Sequence, residues 1–161
     1  MIYKEILRTR RLKTLWEVKP FKELSLEELY EIYRVRSDVF VEEQKITESD
    51  LDENDKIALH VFETDGNQIT AYARIFSEQQ YVTFGRVLTT GQVRGTGKGR
   101  ELLQEIMRQI KLHFPGLPIE IEAQFYAVGY YKKSGFKAFG NPFIEAGVKH
   151  IKMIHDSMQK D

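Results

Sequence analysis

A glycine-rich segment in the second half of the chain, RGTGKGR, has the residue types that bind phosphate. Its glycines, Gly95, Gly97 and Gly99, have no Cβ, so the backbone can adopt positive φ angles and approach a ligand closely. Several peptide N–H groups can then point at one anion at the start of a helix, where the helix dipole also favours negative charge. Arg94 and Lys98 add positive charge, and each charge-assisted hydrogen bond contributes roughly 1.5–3 kcal/mol. The segment therefore predicts a phosphate-binding loop.

The elements on either side must hold this loop in place. Residues 81–88 before it are rich in strand-forming types, and Pro115 ends the helix predicted after it. That helix has an apolar stripe at helical spacing, formed by Leu102, Leu103, Ile106, Met107 and Ile110. The glycine spacing matches neither G-x-x-x-x-G-K-[ST] nor G-x-G-x-x-G, which fails at Arg100. Neither a P-loop NTPase nor a Rossmann dehydrogenase is favoured.

The remaining patterns predict an α+β fold with layered helices and strands. Ser25 and Glu28 form a capping box for a first helix, which is followed by a polar, acidic connector at residues 49–56 and an antiparallel meander. The crossover from Leu88 to Ile119 is long enough for a βαβ unit, so part of the sheet should be parallel. We expect a mixed, mostly antiparallel central sheet flanked by helices, with this crossover at the glycine-rich loop. The predicted elements are a strand at 15–18, a helix at 26–41, strands at 57–63, 68–76 and 81–88, a helix at 102–110, a strand at 119–124, a short helix at 127–134 and closing strands at 136–139 and 148–155.

Length and composition limit the class of protein. The chain has 161 residues, 24 Lys and Arg against 24 Asp and Glu, and no Cys. These values predict a single domain over residues 1–161, no nucleic-acid partner, and neither disulfides nor thiolate metal sites. No secretory signal and no run of about 18 apolar residues is present, so we expect a cytoplasmic protein with no membrane contact. A solvated face is expected for the basic cluster of Arg8, Arg10, Arg11 and Lys13.

Two motifs resemble those of the GNAT superfamily of acetyl-CoA-dependent N-acetyltransferases. Arg94-x-x-Gly97-x-Gly99 is similar to its Q/R-x-x-G-x-G/A pyrophosphate loop, and residues 130–136, YYKKSGF, resemble its late F-Y-x-x-x-G-F motif. The order of the predicted elements is also that of the superfamily. Resemblance to its ElaA-like branch runs almost end to end and rests on Phe21, Leu24, Leu29, Tyr30, Arg36, Val39, Phe40, Val41, Glu43, Gln44, Asp52, Asp55, His60, Ala71, Tyr72, Ala73, Arg74, Gly85, Arg86, Val87, Ala123, Gln124, Glu145, Gly147, His150 and Met153.

The resemblance implies the superfamily's fold, acetyl-CoA (coenzyme A) as the cofactor, and transfer of the acetyl group to a primary amine by direct attack in a ternary complex. A main-chain N–H near Leu88 is expected to stabilise the oxyanion, and Tyr131 to protonate the departing thiolate. The alternative for Tyr131 is packing under the cofactor. Gln124 is expected to contact the cofactor or the acceptor. The implied cofactor-binding residues are Val87, Leu88, Thr89, Arg94, Gly95, Thr96, Gly97, Lys98, Gly99, Arg100, Gln124 and Tyr131.

An amine acceptor needs a route for its proton. An alkylamine with a pKa near 10.4 is about one part in 2,500 neutral at pH 7, and reaching the neutral form costs about 4–5 kcal/mol. A base or a water chain near the acceptor is therefore useful, whereas no metal is required. The candidate residues are Glu43, Asp52, His60, Glu145 and His150. Each also has a structural interpretation, as a core histidine, a solvated carboxylate or a turn residue, and the sequence does not choose among them.

The sequence leaves alternatives open for the acceptor and for other partners. With no separate partner-binding region or charge patch, a small-molecule amine is favoured over a protein lysine as acceptor, and a homodimer is compatible with the sequence. Arg36, Arg74 and Arg86 are expected to pair with the acidic connector or, alternatively, to recognise an anionic acceptor. A second hypothesis is a CoA-binding regulatory module that has this fold and little or no catalysis.

Overall fold

The computed structural model describes residues 16–161 and is built on one seven-stranded sheet. Its strands are β1 (Glu17–Pro20), β2 (Leu59–Asp65), β3 (Gln68–Ser77), β4 (Val82–Thr89), β5 (Ile119–Gln124), β6 (Lys137–Glu145) and β7 (Val148–His155). Its α-helices are α1 (Leu26–Arg36), α2 (Asn54–Ile57), α3 (Lys98–His113) and α4 (Val128–Lys132). The strand order is β1-β2-β3-β4-β5-β7-β6, and each neighbouring pair is antiparallel except β4 and β5. The predicted mixed, mostly antiparallel α+β fold is confirmed.

The first helix begins at the predicted cap and then changes type. The Ser25 hydroxyl accepts a hydrogen bond from the Glu28 amide at 3.1 Å. After α1 the chain continues as a π-helix over Ser37–Glu43. Within this π-helix, Val39 and Phe40 are both buried in the core. The expected single regular helix is therefore corrected to an α-helix followed by a π-helix.

The sheet opens between its two parallel strands. In the described part of the chain, the register between β4 and β5 contains a single pair, Val82 with Ile119. Both strands continue beyond this pair without pairing to each other, while β4 stays paired with β3 and β5 stays paired with β7. The carboxyl ends of β4 and β5 therefore border a gap in the sheet.

Two hydrophobic cores cover the two faces of the sheet. The larger one packs α3 against the central strands and includes Leu102, Ile106, Ile119 and Met153, all inaccessible to solvent. The smaller one packs α1 and the π-helix against β2, β3 and β4. Because both faces of the central strands are covered, these strands are held rigidly, and so is the gap beside them.

Other boundaries differ from the predicted ones. The connector at residues 49–56 contains most of α2, and its Asp55 is buried. The predicted closing strand at 136–139 begins at Lys137 and extends to Glu145, with residues 137–139 and 143–145 paired to β7 on either side of an irregularity. The cluster Arg8, Arg10, Arg11 and Lys13 lies outside the described residues. None of the helices within residues 16–161 has the length and apolar content needed to cross a membrane.

Candidate active site

The start of α3 presents a row of free peptide N–H groups. Gly95 and Gly97 have φ angles of +78° and +88°, which residues with a side chain rarely adopt, and Gly97 is the N-cap of the helix. Within residues 16–161, no backbone carbonyl accepts a hydrogen bond from the amides of Gly97, Lys98, Gly99 or Arg100. These are the donors that a helix leaves unsatisfied at its N-terminus, and the helix dipole adds partial positive charge there. The geometry of an anion site is present where the sequence predicts one.

A β-bulge redirects β4 before it reaches the gap. Tyr72 of β3 faces Leu88, whereas Arg74, two residues further along, faces Gly85, so β4 has an extra residue at this point. Arg86 lies in the bulge with a φ of +52°, an uncommon value for a residue with a side chain. Beyond the bulge, β4 has no strand on its β5 side in the described part of the chain. Main-chain groups at the end of β4 are therefore free to pair with a bound molecule along that edge.

A cavity of about 970 Å³ includes the gap and extends over both of its walls. Several residues of the predicted cofactor site line it: Val87, Leu88, Thr89, Arg94, Gly99, Gln124 and Tyr131. The other predicted residues, Gly95, Thr96, Gly97, Lys98 and Arg100, lie beside it in the loop and the first turn of α3. The cavity is also lined by four of the five candidate bases, namely Glu43, Asp52, Glu145 and His150. A single concave site therefore contains most of the residues singled out in the sequence.

The side chain of Arg94 is bound to protein groups in this structure. Its Nε and Nη2 donate to the Thr89 carbonyl at 3.0 and 2.8 Å, and Nη2 also donates to the Glu43 carboxylate at 2.7 Å. Both side chains are a little under half exposed. The ion pair connects the π-helix to the end of β4 across the mouth of the cavity. Glu43 is thereby the partner of Arg94 in this structure.

The ammonium group of Lys98 is directed away from the cavity. It lies 2.7 Å from a carboxylate oxygen of Glu63 and 2.8 Å from one of Glu101. Burial opposes the charged form, but the hydrogen bonds to Glu101 and Glu63 outweigh it and raise the pKa of Lys98. The structure therefore gives the Lys98 side chain a role in fixing the first turn of α3, whereas its peptide N–H remains in the row of free donors.

Tyr131 lies under the gap, packed among aromatic rings. It is 7% exposed, and its ring centroid is 5.9 Å from those of both Phe84 and Phe136. Burial raises the pKa of Tyr131 above the ordinary phenol value, so the hydroxyl keeps its proton at neutral pH. Its neighbour Tyr130, which the sequence did not single out, donates a hydrogen bond to the Gly99 carbonyl. Through this bond α4 is fixed against the anion-binding turn.

A buried ion network anchors the acidic connector next to the cavity. Arg36 is inaccessible to solvent, and its guanidinium donates to Asp50 at 2.8 Å and to Asp55 at 2.7 Å. Arg74 also donates to Asp55, at 2.8 Å. Although burial raises the pKa of Asp55, the hydrogen bonds and charges of both arginines outweigh that effect and lower it. These interactions match the expectation that the arginines pair with the acidic connector. Asp50 is a residue of this ion network that the sequence did not single out.

Asp52 belongs to the exposed edge of the same network. Arg74 holds both of its carboxylate oxygens, at 2.6 and 2.8 Å, and Arg86 approaches to 3.6 Å. The hydrogen bonds from Arg74 lower the pKa of Asp52, against the opposing effect of burial. A carboxylate with a lowered pKa is a weak base, so this position favours a structural role for Asp52.

His60 lies in the core and outside the cavity lining. Its Nδ1 is 2.8 Å from the Tyr72 hydroxyl, and its Nε2 is 2.8 Å from the Asp55 carbonyl. Burial lowers the pKa of His60. Because both ring nitrogens are occupied and the side chain is fully buried, we place His60 among the residues that support the Asp55 loop.

The opposite wall of the cavity is formed by β5, β7 and the turn between β6 and β7. Gln124, at the end of β5, donates to the Gln44 side chain at 3.0 Å and so joins the two walls. His150 stacks on Phe143 with 5.9 Å between the ring centroids, and its Nδ1 is 2.8 Å from the Val148 carbonyl. Glu122 of β5 also lines this wall. Glu122 was not among the site residues predicted from the sequence, although its place among alternating polar and apolar residues in IEIEAQ indicates that it faces away from the core.

Comparison with known proteins identifies the family of this chain. The family described as Acetyltransferase (GNAT) domain matches residues 24–156. The chain belongs to the GNAT acetyltransferase family. One relative, a UPF0039 protein of Synechocystis sp., is 36% identical over 143 residues, which cover 86% of this chain and 93% of that protein.

Two solved structures have a similar fold. Escherichia coli ElaA superposes with a TM-score of 0.84 at 28% identity, covering 89% of this chain and 99% of ElaA. An acyl-CoA N-acyltransferase from Pseudomonas aeruginosa has the same TM-score and identity, with 88% and 99% covered. The predicted resemblance to the ElaA-like branch is confirmed. GNAT membership supports the binding of acyl-CoA and CoA-dependent acyl transfer by this chain.

Proposed function

We propose that this chain transfers the acetyl group of acetyl-CoA to a primary amine of a small molecule, by direct attack within a ternary complex. One observation carries the proposal: within residues 16–161, the end of β4 has no partner on its β5 side, and the free amides at the start of α3 lie beside the same gap in the sheet. The first can pair with an extended pantetheine arm, and the second can bind a pyrophosphate. The pantetheine arm then lies along the end of β4 and the pyrophosphate lies at the start of α3. These two positions set the direction of the coenzyme across the site.

The thioester is placed at the bulged end of β4 in this proposal. A preorganised N–H near Leu88 stabilises the oxyanion that develops when an amine nitrogen attacks the carbonyl carbon. The C–N bond forms, the C–S bond breaks, and the thiolate takes a proton from the Tyr131 hydroxyl. Two observations support this role: Tyr131 lines the cavity, and its hydroxyl carries a proton at neutral pH.

An assay of thiol release tests the proposed reaction. Purified protein is incubated with acetyl-CoA and each member of a panel of primary amines, and free thiol is measured together with the mass of the amine. We expect release that depends on one class of amine, with an equal amount of acetylated product. Binding of CoA without turnover across the whole panel would contradict the proposal and favour a CoA-binding regulatory module.

The substitution Tyr131→Phe tests the proton donor. Removing the hydroxyl should lower kcat about 100-fold, because protonation of the leaving group is lost, while the KM for acetyl-CoA stays within about threefold. Steady-state kinetics with thiol detection measures both values. Tyr126→Phe is a matched control, since Tyr126 lines the same cavity but is 77% exposed, and its kcat should stay within about twofold. An unchanged kcat in Tyr131→Phe would show that the hydroxyl is not the donor.

A further inference from the structure

The last carbonyl of β4 points into the gap and is already hydrogen-bonded there. The Thr90 amide donates to the Thr70 carbonyl on β3 at 2.9 Å. In the trans peptide that joins Thr89 to Thr90, the N–H and the C=O point in opposite directions, so the Thr89 carbonyl points away from β3. It accepts from Nε and Nη2 of Arg94 at 3.0 and 2.8 Å. Because a carbonyl oxygen has two lone pairs, this oxygen is fully used.

The edge of β4 that faces the gap therefore has a defined end. Thr89 lies opposite Ala71 in the register, next to the hydrogen-bonded pair of Thr90 and Thr70. In an antiparallel ladder such pairs alternate, so the N–H of Thr89 also points into the gap, where it is a donor for a bound molecule. A chain that pairs along this edge from the bulged end can use that N–H, but it meets the Arg94 guanidinium at the next main-chain group.

Glu43 holds the guanidinium at this point from the end of the π-helix. Its carboxylate accepts from Nη2 of Arg94 at 2.7 Å. The next residue, Gln44, accepts at 3.0 Å from the side chain of Gln124 at the end of β5, and its amide donates to the carbonyl of the buried residue Val39 at 3.0 Å. The end of the π-helix is thus attached to both strand ends that border the gap.

We propose that Glu43 is a positioning residue that acts through Arg94 to end the pairing edge of β4, and so sets where the pantetheine arm leaves the strand. This inference rests on the proposed function, because it concerns the same coenzyme. The arm has a fixed length between the pyrophosphate and the thioester. A fixed exit at Thr89 therefore fixes how far the thioester reaches toward the bulged end of β4.

Loss of this end point changes the position of the thioester more than the affinity for the coenzyme. A free Thr89 carbonyl would accept a hydrogen bond from the arm and draw the thioester away from the oxyanion donor. The amides at the start of α3 would still bind the pyrophosphate. Both side chains of the Glu43–Arg94 pair are a little under half exposed, and such pairs contribute little to stability, so the fold does not depend on it.

Variants of Glu43 test the positioning role by kinetics. In Glu43→Leu, kcat should fall by about 10- to 100-fold, because a displacement of about 1 Å at the reacting atoms has an effect of this size. Its Kd for coenzyme A, measured by calorimetry, should stay within about threefold, because the amides at the start of α3 are intact. In Glu43→Gln an oxygen remains to accept from Arg94, so kcat should fall no more than about fivefold.

Glu42→Leu is the matched control. Glu42 is an exposed residue of the same π-helix, and its kcat should stay within about twofold of the unsubstituted value. Thermal unfolding should give closely similar midpoints for all three variants. Equal losses of kcat in Glu43→Leu and Glu43→Gln would show that the carboxylate charge matters rather than the bond to Arg94, and would overturn the inference. An unchanged kcat in Glu43→Leu would also overturn it.

A crystal structure of the unsubstituted chain with coenzyme A tests the end point without turnover. We expect Arg94 to remain on Glu43 and on the Thr89 carbonyl, with the arm bonded to the Thr89 N–H. An arm bonded to the Thr89 carbonyl, or an Arg94 side chain released from Glu43, would overturn the inference. The expected complex together with no thiol release from acetyl-CoA for any amine would instead overturn the proposed transfer reaction.

Discussion

Replacing Gly99 with aspartate should lower the affinity for coenzyme A by about 100-fold or more while leaving the protein folded. The new carboxylate lies in the first turn of α3, where it competes for the free amides and repels the pyrophosphate. Losing two charge-assisted hydrogen bonds of about 1.5 kcal/mol each accounts for a loss of this size. The fold should tolerate the change, because a Cβ at Gly99 meets only a Tyr130 ring carbon at 3.9 Å. An acidic side chain is also favourable in the first turn of a helix, because its negative charge interacts with the positive end of the helix dipole.

Gly91→Asp is the matched control for this prediction. Gly91 lies in the loop before α3, and a Cβ there meets nothing within 4 Å, so the substitution adds the same charge without touching the row of amides. Calorimetric titration with coenzyme A gives the affinity of each variant, and thermal unfolding confirms the fold. Equal affinities for Gly99→Asp and Gly91→Asp would contradict an anion site at the start of α3.

Removing the central arginine of the buried network should have the largest effect on stability. Arg36→Met leaves Asp50 without its hydrogen bond from Arg36 and Asp55 with Arg74 as its remaining arginine partner. Breaking a buried ion pair from one side costs about 3–5 kcal/mol, because an uncompensated buried charge remains. We expect the free energy of unfolding, measured in urea, to fall by about that amount.

Arg34→Met provides the comparison on the same helix. Arg34 is partly exposed and pairs with Glu31 at 2.8 Å and with Asp38 at 2.7 Å. Exposed pairs of this kind contribute about 0–1 kcal/mol, so this variant should be nearly as stable as the unsubstituted chain. If Arg36→Met is destabilised no more than Arg34→Met, the network does not anchor the acidic connector as described.

The parts of the fold that follow from local pattern could be predicted from the sequence. The stripe on α3 and the strand at Ile119–Gln124 are encoded in the spacing of apolar residues, which directly reflects helical or strand geometry. The loop at Gly95 and Gly97 could be predicted for a similar reason, because residue type alone limits which φ angles are accessible.

The parts that depend on distant contacts could not be predicted in the same way. The bond from Arg36 to Asp55 spans 19 residues and that from Arg86 to Asp50 spans 36, and no local spacing specifies such pairs. The gap beside β4 depends on where β4 and β5 stop pairing, and the separate patterns of the two strands do not specify that point. The alternation in β5 indicates which face is polar, but only the folded sheet brings Glu122 and Glu145 to the lining of one cavity.

Calorimetric titration of the unsubstituted chain with coenzyme A tests the central claim most directly, namely that the gap beside β4 and the start of α3 form one coenzyme site. The account predicts one site per chain, saturated below about 1 mM, the upper end of the usual range for enzyme substrates. Folded protein that shows no saturable binding of coenzyme A at millimolar concentration would contradict it.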